Sequence, residues 1–293
     1  MGQEWLTTRR FALLLGVLVL ASWPQVFSGW QTFVYRDFGQ FSYPVAHYFR
    51  ECFWRGEIPL WNPLSYCGVP FMAQWNPQVF YPPSLFYLVL PLSWSLGVFC
   101  LLHLYGAGLG MFVLARAWTG NAWAAAVAGL AFASGGLLVN SLVWPGTVPG
   151  LCWMPWLVWL LPQAWRMGGR WLGWAVVVGA LQMLSGAVEP VLLTWVVLAG
   201  LGALDFFGGE FPRGKILGRA VLAGGLVAGV CAVQLLPFLD LLKHSQRQGG
   251  FETASLWPMP VWGWGNFFVP LLHMQRSVHG ALVQPEQAWI NSY

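Results

Sequence analysis

Apolar residues occur along the chain in long, continuous runs, and most of these runs approach or exceed the ~20 residues that a helix needs to cross a bilayer. The runs do not alternate with polar positions, so they favour helices over the strands of a membrane barrel. The pattern predicts an all-α fold, a polytopic transmembrane bundle of about seven helices. The predicted spans are 11–27, 94–115, 122–141, 150–165, 171–186, 190–206 and 216–238.

The distribution of lysine and arginine predicts the orientation of the bundle, because short cytoplasmic loops are enriched in basic residues. With a cytoplasmic N-terminus, eight of the fourteen basic residues fall in short cytoplasmic segments and six fall in two long outer segments. The chain then divides into four parts. They are the N-terminus and first span (1–27), an extracytoplasmic loop (28–93), the remaining helical bundle (94–238) and a second extracytoplasmic segment (239–293).

The first apolar run also resembles a signal peptide, with two arginines before it. However, Trp23 and Pro24 stand where a small-residue cleavage site is expected, so we interpret the run as a retained span.

Composition excludes an ordinary soluble domain. The chain is 57% hydrophobic and only 8% charged, whereas a typical soluble domain is roughly 25% charged. The net charge of +4 comes from scattered basic residues that membrane topology explains, so we expect a lipid bilayer and no nucleic acid as partner.

The loop over residues 28–93 is too long for a simple connector and too aromatic for a disordered one. Pro44 suits a first helical turn and Gly56 a helix end, so the loop is predicted to contain an interfacial helix over Tyr43–Trp54. Trp61 and Trp75 are expected to anchor the following proline-rich stretch among lipid headgroups. Alternatively, the whole loop is an interfacial cap that carries no chemistry.

Two cysteines lie in this loop, Cys52 and Cys67. They can form a disulfide if the loop faces an oxidising compartment.

The principal candidate for chemistry is Asp37, about ten residues after the first span. A carboxylate at the membrane surface can accept the proton of an acceptor hydroxyl during group transfer. An ion pair with Arg36 or a helix cap would explain the same residue structurally. His47 suits a base, a metal ligand or a solvated side chain, and Arg50 and Glu51 follow it on the predicted helix as candidate binding residues.

A second group of candidates belongs to the later outer segments. Glu189 stands in the sequence LSGAVEP, where an acid at an apolar boundary is costly unless it is paired, functional or exposed as a cap. Asp240 is followed by Lys243 and Arg247, and such cations can hold a phosphate or simply face water.

Several longer motifs resemble those of the YfhO-like bacterial membrane proteins. They are the acid and aromatics after the first span, GEIPLWNP, GVPFMAQWNPQVFYPP, SGAVEP and QLLPFLDLLKHSQR, which together run from about Tyr35 to Pro270. That family is similar to the GT-C glycosyltransferases, membrane enzymes that transfer a sugar from a polyprenyl-phosphate carrier on the extracytoplasmic side. Family members are usually longer, so the chain is expected to be an N-terminal portion.

The resemblance implies a multi-pass protein of the bacterial inner membrane whose acceptor is an extracytoplasmic glycan or lipid. It assigns Asp37 the role of catalytic base or metal ligand and gives Glu189 a place on the same side. Arg36, Arg50, Lys243 and Arg247 would bind the lipid phosphate. A divalent metal remains possible, but the acid pair common in GT-C enzymes is here a single acid.

Two functions of other classes remain open. A transporter or flippase for lipid-linked sugars would need polar groups within the spans, for which His103, Gln182 and Gln234 are the candidates. A non-catalytic scaffold would depend on the tryptophans of the loop rather than on Asp37.

Overall fold

A computed structural model describes residues 5–245, 261–269, 272–276, 282–283 and 285. It is mostly helical (74%), which confirms the all-α class. The chain divides into two compact units, Met1–Lys243 and His244–Tyr293. The boundary therefore lies within the second predicted outer segment.

The first unit contains the α-helices. In chain order they are α1 (Thr8–Ser22), α2 (Pro24–Phe27), α3 (Tyr43–Arg55), α4 (Leu85–Val89), α5 (Leu92–Thr119), α6 (Ala122–Ser134), α7 (Gly136–Asn140), α8 (Thr147–Met167), α9 (Arg170–Leu184), α10 (Val188–Gly208), α11 (Arg213–Val230) and α12 (Ala232–His244), the last ending at the unit boundary.

Shorter elements complete the two units. The first has a π-helix over Phe38–Ser42, 3₁₀-helices over Pro82–Ser84 and Ser141–Val143, and a small hairpin of β1 (Trp61–Asn62) and β2 (Val69–Pro70). The second unit has a 3₁₀-helix over Val261–Phe267 and an antiparallel pair, β3 (Gln275–Arg276) and β4 (Leu282–Val283).

Among the described residues, three helical segments are long and apolar enough to cross a membrane, or four if a bent pair counts as one span. They are Leu92–Thr119, Ala122–Val143, Val188–Gly208 and the pair α11–α12. This finding indicates a membrane protein. The other predicted spans correspond to helices, but α1 and α9 have only 15 residues each, and tryptophans and prolines reduce the hydropathy of α8.

The predicted last span is interrupted. α11 ends at Val230, and the chain bends by 76° before continuing as α12. Two hydrogen bonds fix the start of α12, because the buried Gln234 donates its Nε2 to the carbonyl oxygens of Met72 and Gln74 at 3.2 and 3.1 Å. α12 therefore packs against the long loop instead of extending α11.

The bundle has two ends, which we name by their residues. The loop end carries residues 28–91 together with the turns at 141–147 and 185–187. The basic end is the opposite end of the bundle and carries Arg116 of α5, Arg166 of α8 and Arg219 of α11. Arg116 and Arg219 donate to backbone carbonyl oxygens, and Arg166 donates to a carboxylate.

The long loop is held to the bundle by a buried hydrogen-bonded chain centred on Tyr81. The Nε1 of Trp153 donates to the Tyr81 hydroxyl at 2.7 Å, and that hydroxyl lies 2.7 Å from the Nε2 of His103. The His103 Nδ1 lies 2.8 Å from the carbonyl oxygen of Phe99, which can only accept, so Nδ1 carries the proton and Nε2 accepts from tyrosine. Burial holds the pKa of the Tyr81 phenol well above its ordinary value, so the hydroxyl remains a donor.

We expect Tyr81→Phe to lower the free energy of unfolding by about 2 kcal/mol or more, because it leaves two buried groups, on Trp153 and His103, without their partner. Tyr66→Phe is the matched control, since the Tyr66 side chain is 93% exposed. Thermal unfolding in detergent measures both variants. Equal midpoints for the two would show that the chain of hydrogen bonds does not stabilise the loop.

Candidate functional site

Four segments of the chain meet at the loop end, and we call them the loop-end cluster: residues 37–46, 75–78, 144–147 and 185–189. Gln78 joins two of them by donating its Nε2 to the carbonyl oxygen of Ser185 at 2.6 Å. Gly186 has φ +92°, and a Cβ there would lie 3.0 Å from the carbonyl oxygen of Trp75, so a side chain would push these segments apart. Gly146 approaches the backbone of the same turn.

Asp37 is presented by a tight turn that enters the π-helix. Arg36 has φ +51°, a left-handed conformation that is uncommon outside glycine. Gly39 permits the turn to close, since a Cβ at this position would lie 2.5 Å from the carbonyl oxygen of Val34. The next side chain, Phe38, is fully buried and packs edge-to-face on Phe33. The backbone on both sides of Asp37 is therefore fixed.

The Asp37 carboxylate is half-buried and bound to a tryptophan from a distant segment. The Nε1 of Trp144 donates to its Oδ2 at 2.6 Å. Within the described residues Oδ1 has no hydrogen-bond partner, and no ion pair joins Asp37 to Arg36. One oxygen is thus oriented by a fixed donor while the other is left for a ligand or water.

A cavity of about 30 Å³ lies within this cluster. Its polar lining comes from Ser42, Asn76 and Gln78, and its apolar lining includes Phe41 and Pro145. This volume accommodates water but is about tenfold smaller than the smallest pockets that enclose a drug-sized ligand. The loop-end cluster therefore does not enclose a preformed sugar pocket.

The predicted helix of the loop is confirmed as α3, which has Pro44 in its first turn and ends at Gly56, where φ is +68°. Of the candidate residues on it, His47 and Glu51 are exposed, and Arg50 is half-buried. The Arg50 guanidinium lies 5.9 Å from the Trp54 ring centroid, and its Nε is buried without a hydrogen-bond partner among the described residues. In the part of the chain that the structure describes, none of these side chains forms a hydrogen bond or an ion pair with Asp37.

The remaining candidates are divided between two helices. Glu189 is exposed in the first turn of α10, directly after the 185–187 turn, and so belongs to the same cluster as Asp37. Asp240 and Lys243 are exposed on α12, whose bend brings it to the loop end. Arg247 lies outside the described residues.

The two loop tryptophans have different environments. Trp75 is only 8% exposed, donates its Nε1 to the carbonyl oxygen of Met183 at 2.6 Å and packs on Phe238, so the expectation that it anchors the loop among headgroups is wrong. Trp61 is exposed and remains suited to that role. Cys52 and Cys67 are free thiols, the first buried and the second exposed.

The polar side chains within the predicted spans are used for packing. His103 belongs to the chain of hydrogen bonds at Tyr81, and Gln234 holds the loop. Gln182 is fully buried and donates to the carbonyl oxygen of Gly150 and the hydroxyl of Thr194, although its Oε1 has no partner among the described residues. All three face the protein interior.

Over the described ranges, no group of three or more histidine, cysteine, aspartate or glutamate residues is arranged to hold a metal ion. Asp37 is bound by an indole N–H, which is a donor and so does not help to build a cation site.

Sequence reasoning missed Trp144, the residue that orients Asp37. The available signal was topological: the short turn between the third and fourth predicted spans lies on the same side as the long loop, and it contains the sequence VWPG. An indole in such a turn can reach a neighbouring carboxylate, but the sequence does not show which one.

A scan of protein-family models, a search of curated proteins and a search of solved structures each found no match to the chain.

Proposed function

We propose that the chain is a GT-C-like membrane glycosyltransferase that moves a sugar from a polyprenyl-phosphate carrier to an extracytoplasmic acceptor. In this proposal the protein spans a bacterial inner membrane about seven times with a cytoplasmic N-terminus, and the loop end faces outward. Asp37 is the catalytic base. It takes the proton of the acceptor hydroxyl as the acceptor oxygen bonds to the anomeric carbon, while the bond from that carbon to the phosphate oxygen breaks and polyprenyl phosphate leaves.

The observation that carries the proposal is the environment of Asp37. Its Oδ2 is oriented by the Trp144 N–H, and its backbone is fixed by the buried Phe38, while Oδ1 has no partner in the described part of the chain. A base needs a defined position and one accessible oxygen, and this carboxylate has both. A purely structural aspartate would be expected to use both oxygens in hydrogen bonds or an ion pair.

The small cavity bears on how substrates reach this base. Because about 30 Å³ excludes a sugar, the donor and acceptor bind outside the cavity in this proposal. Arg36 beside the base, Arg50 on α3 and Lys243 on α12 are the cations proposed to attract a lipid phosphate. Glu189, His47, Glu51 and Asp240 are the other polar candidates for contact with the substrates.

Transfer is separated from transport by two assays on one preparation. Proteoliposomes containing the protein and radiolabelled polyprenyl-phosphate hexose are assayed with and without an acceptor extract for the appearance of labelled product. In parallel, the same proteoliposomes are assayed without acceptor for movement of the labelled lipid between leaflets. Product formation that requires acceptor supports the transferase, whereas leaflet exchange without any product supports a flippase.

We expect Trp144→Phe to lower kcat about tenfold and to change KM little, because it removes one charge-assisted hydrogen bond from the base. Trp30→Phe is the matched control, since Trp30 lies in the same loop and is 86% exposed. Steady-state transfer kinetics measure both variants. A change in KM alone would place Trp144 in substrate binding and contradict its role in orienting Asp37.

A further inference from the structure

A second, larger cavity lies at the opposite part of the bundle, between α8, α10 and α11. Its volume is about 380 Å³, and its lining is apolar. We call it the lipid groove. Three small residues of α10 line it, Ala199, Gly202 and Ala203, and the larger side chains around it include Trp165, Trp195 and Phe206.

The lipid groove has room for additional atoms beside Gly202. A Cβ at Gly202 would come no closer than 3.8 Å to the Trp165 ring, which is an ordinary van der Waals contact. An apolar groove that is left unfilled lacks van der Waals partners for its lining. A molecule from the surroundings therefore fills it.

The surroundings at the lipid groove are apolar. α10 is one of the helices long and apolar enough to cross a membrane, and only 17% of its most apolar window is buried in the protein. Ala203 and Leu217 in the lining are exposed, so the lipid groove opens towards the bilayer. A lipid chain is the occupant that this position supplies.

Arg213 gives the lipid groove a charged entrance. On α11 the lining residues Ile216, Leu217 and Ala220 lie three, four and seven positions after Arg213, so all four share one helix face. The guanidinium carbon lies 5.5 Å from the Phe206 ring centroid, and its Nε donates to the Phe206 carbonyl oxygen at 3.2 Å. Its two terminal nitrogens have no hydrogen-bond partner among the described residues.

The neighbouring acid does not neutralise Arg213. Asp205 accepts two hydrogen bonds from Arg166, at 2.6 and 2.7 Å, and a third from the Trp165 indole. On α8, α10, α11 and the turn between α10 and α11, the basic end has four cations against two acids, Asp205 and Glu210, which leaves a net charge of +2. The cations are Arg166, Arg213, Lys215 and Arg219. An anionic headgroup is therefore favoured over a zwitterionic one.

We propose that the lipid groove binds one chain of an anionic phospholipid of the bilayer, with the phosphate of that lipid at Arg213. This site is separate from the loop-end cluster and does not depend on the transferase proposal. The lipid fills the space between α8, α10 and α11 and joins the three helices at the basic end.

The test is native mass spectrometry of the full chain released from nanodiscs of equal parts phosphatidylglycerol and phosphatidylcholine. The wild type is expected to retain one phosphatidylglycerol. Gly202→Leu fills the lipid groove and is expected to lose that lipid. Gly200→Leu is the matched control, because Gly200 is on the same helix with nothing within 4 Å of its Cβ position, and it is expected to retain the lipid.

The headgroup is tested by Arg213→Gln, an exposed change that a folded chain tolerates. It is expected to lower the ratio of retained phosphatidylglycerol to phosphatidylcholine about fivefold, since one cation near a membrane surface contributes roughly 1 kcal/mol. Arg170→Gln removes the same charge at the same end, on α9, outside the lipid groove, and is expected to leave the ratio nearly unchanged.

Three results would overturn the proposal. One is a wild-type protein that retains no lipid or retains both lipids equally. The second is equal retention by Gly202→Leu and Gly200→Leu. The third is a wild-type dimer that Gly202→Leu converts to a monomer without loss of lipid, which would assign the lipid groove to a second copy of the chain.

Discussion

Asp37→Asn is expected to lower kcat for sugar transfer by roughly 10²–10⁴-fold, the usual contribution of a positioned general base. The substitution removes the charge but retains an oxygen that can accept the Trp144 N–H, so the turn over residues 36–39 is expected to remain folded. The loss should appear in kcat and kcat/KM alike, because the proton transfer occurs only in the reaction and not in substrate binding.

Glu57→Gln is the matched control for this change. Glu57 lies in the same loop, is exposed and forms an exposed ion pair with Arg55 at 3.2 Å, which contributes little to stability. Transfer kinetics in proteoliposomes and unfolding midpoints are measured for both variants. If Asp37→Asn folds normally and keeps full transfer activity, Asp37 is not the base and the transferase proposal fails with it.

The sequence predicted the helices well because their signal is local. An apolar run of sufficient length predicts a helix wherever it packs, and the Pro44 and Gly56 signals gave the start of α3 and its end to within one residue. The number of helices that cross a bilayer was harder to predict from these apolar runs. α1 and α9 are short by the same length criterion, and the last predicted span bends at Cys231.

The bend between α11 and α12 has a tertiary cause that the local sequence does not show. Val230 and Ala232 continue an apolar run, and the residue between them is a buried cysteine. The chain turns because Gln234 binds two carbonyl oxygens of the loop, about 160 residues earlier in the sequence. A single sequence shows that a glutamine occupies position 234 but does not show which carbonyl oxygens it binds.

The sequence suggested candidate residues, and their arrangement followed from it only in part. Asp37 and Glu189 were both assigned to one side, and the structure brings their segments together in the loop-end cluster. The partner of Asp37 is not the adjacent Arg36 but Trp144, because Arg36 adopts a left-handed conformation and is exposed. The ion pair with Arg36, the structural alternative for Asp37, therefore does not form, since backbone conformation decides which neighbour a side chain meets.

Gly108→Leu is expected to lower the free energy of unfolding by about 3 kcal/mol or more. A Cβ at this position would lie 2.8 Å from the Cβ of Ala133 on α6, 2.9 Å from a methyl of Leu15 on α1 and 3.1 Å from the carbonyl oxygen of Gly129. Three helices thus approach one another here because the residue has no side chain, as small residues permit in membrane bundles. Overpacking against backbone cannot be relieved by a side-chain rotation, so the cost should exceed the 1–3 kcal/mol typical of cores.

The control for this prediction is Gly225→Leu on α11, which has nothing within 4 Å of its Cβ position. Two of the Gly-x-x-x-Gly pairs in the chain, at 106–110 and 225–229, lie in predicted spans, and sequence alone does not distinguish them. Gly106 and Gly110 meet Cys152 and Trp156 of α8, whereas Gly225 and Gly229 face open space. Unfolding in mixed micelles should therefore detect Gly108→Leu and not Gly225→Leu, and equal stability of the two variants would show that close approach at Gly108 does not hold α1, α5 and α6 together.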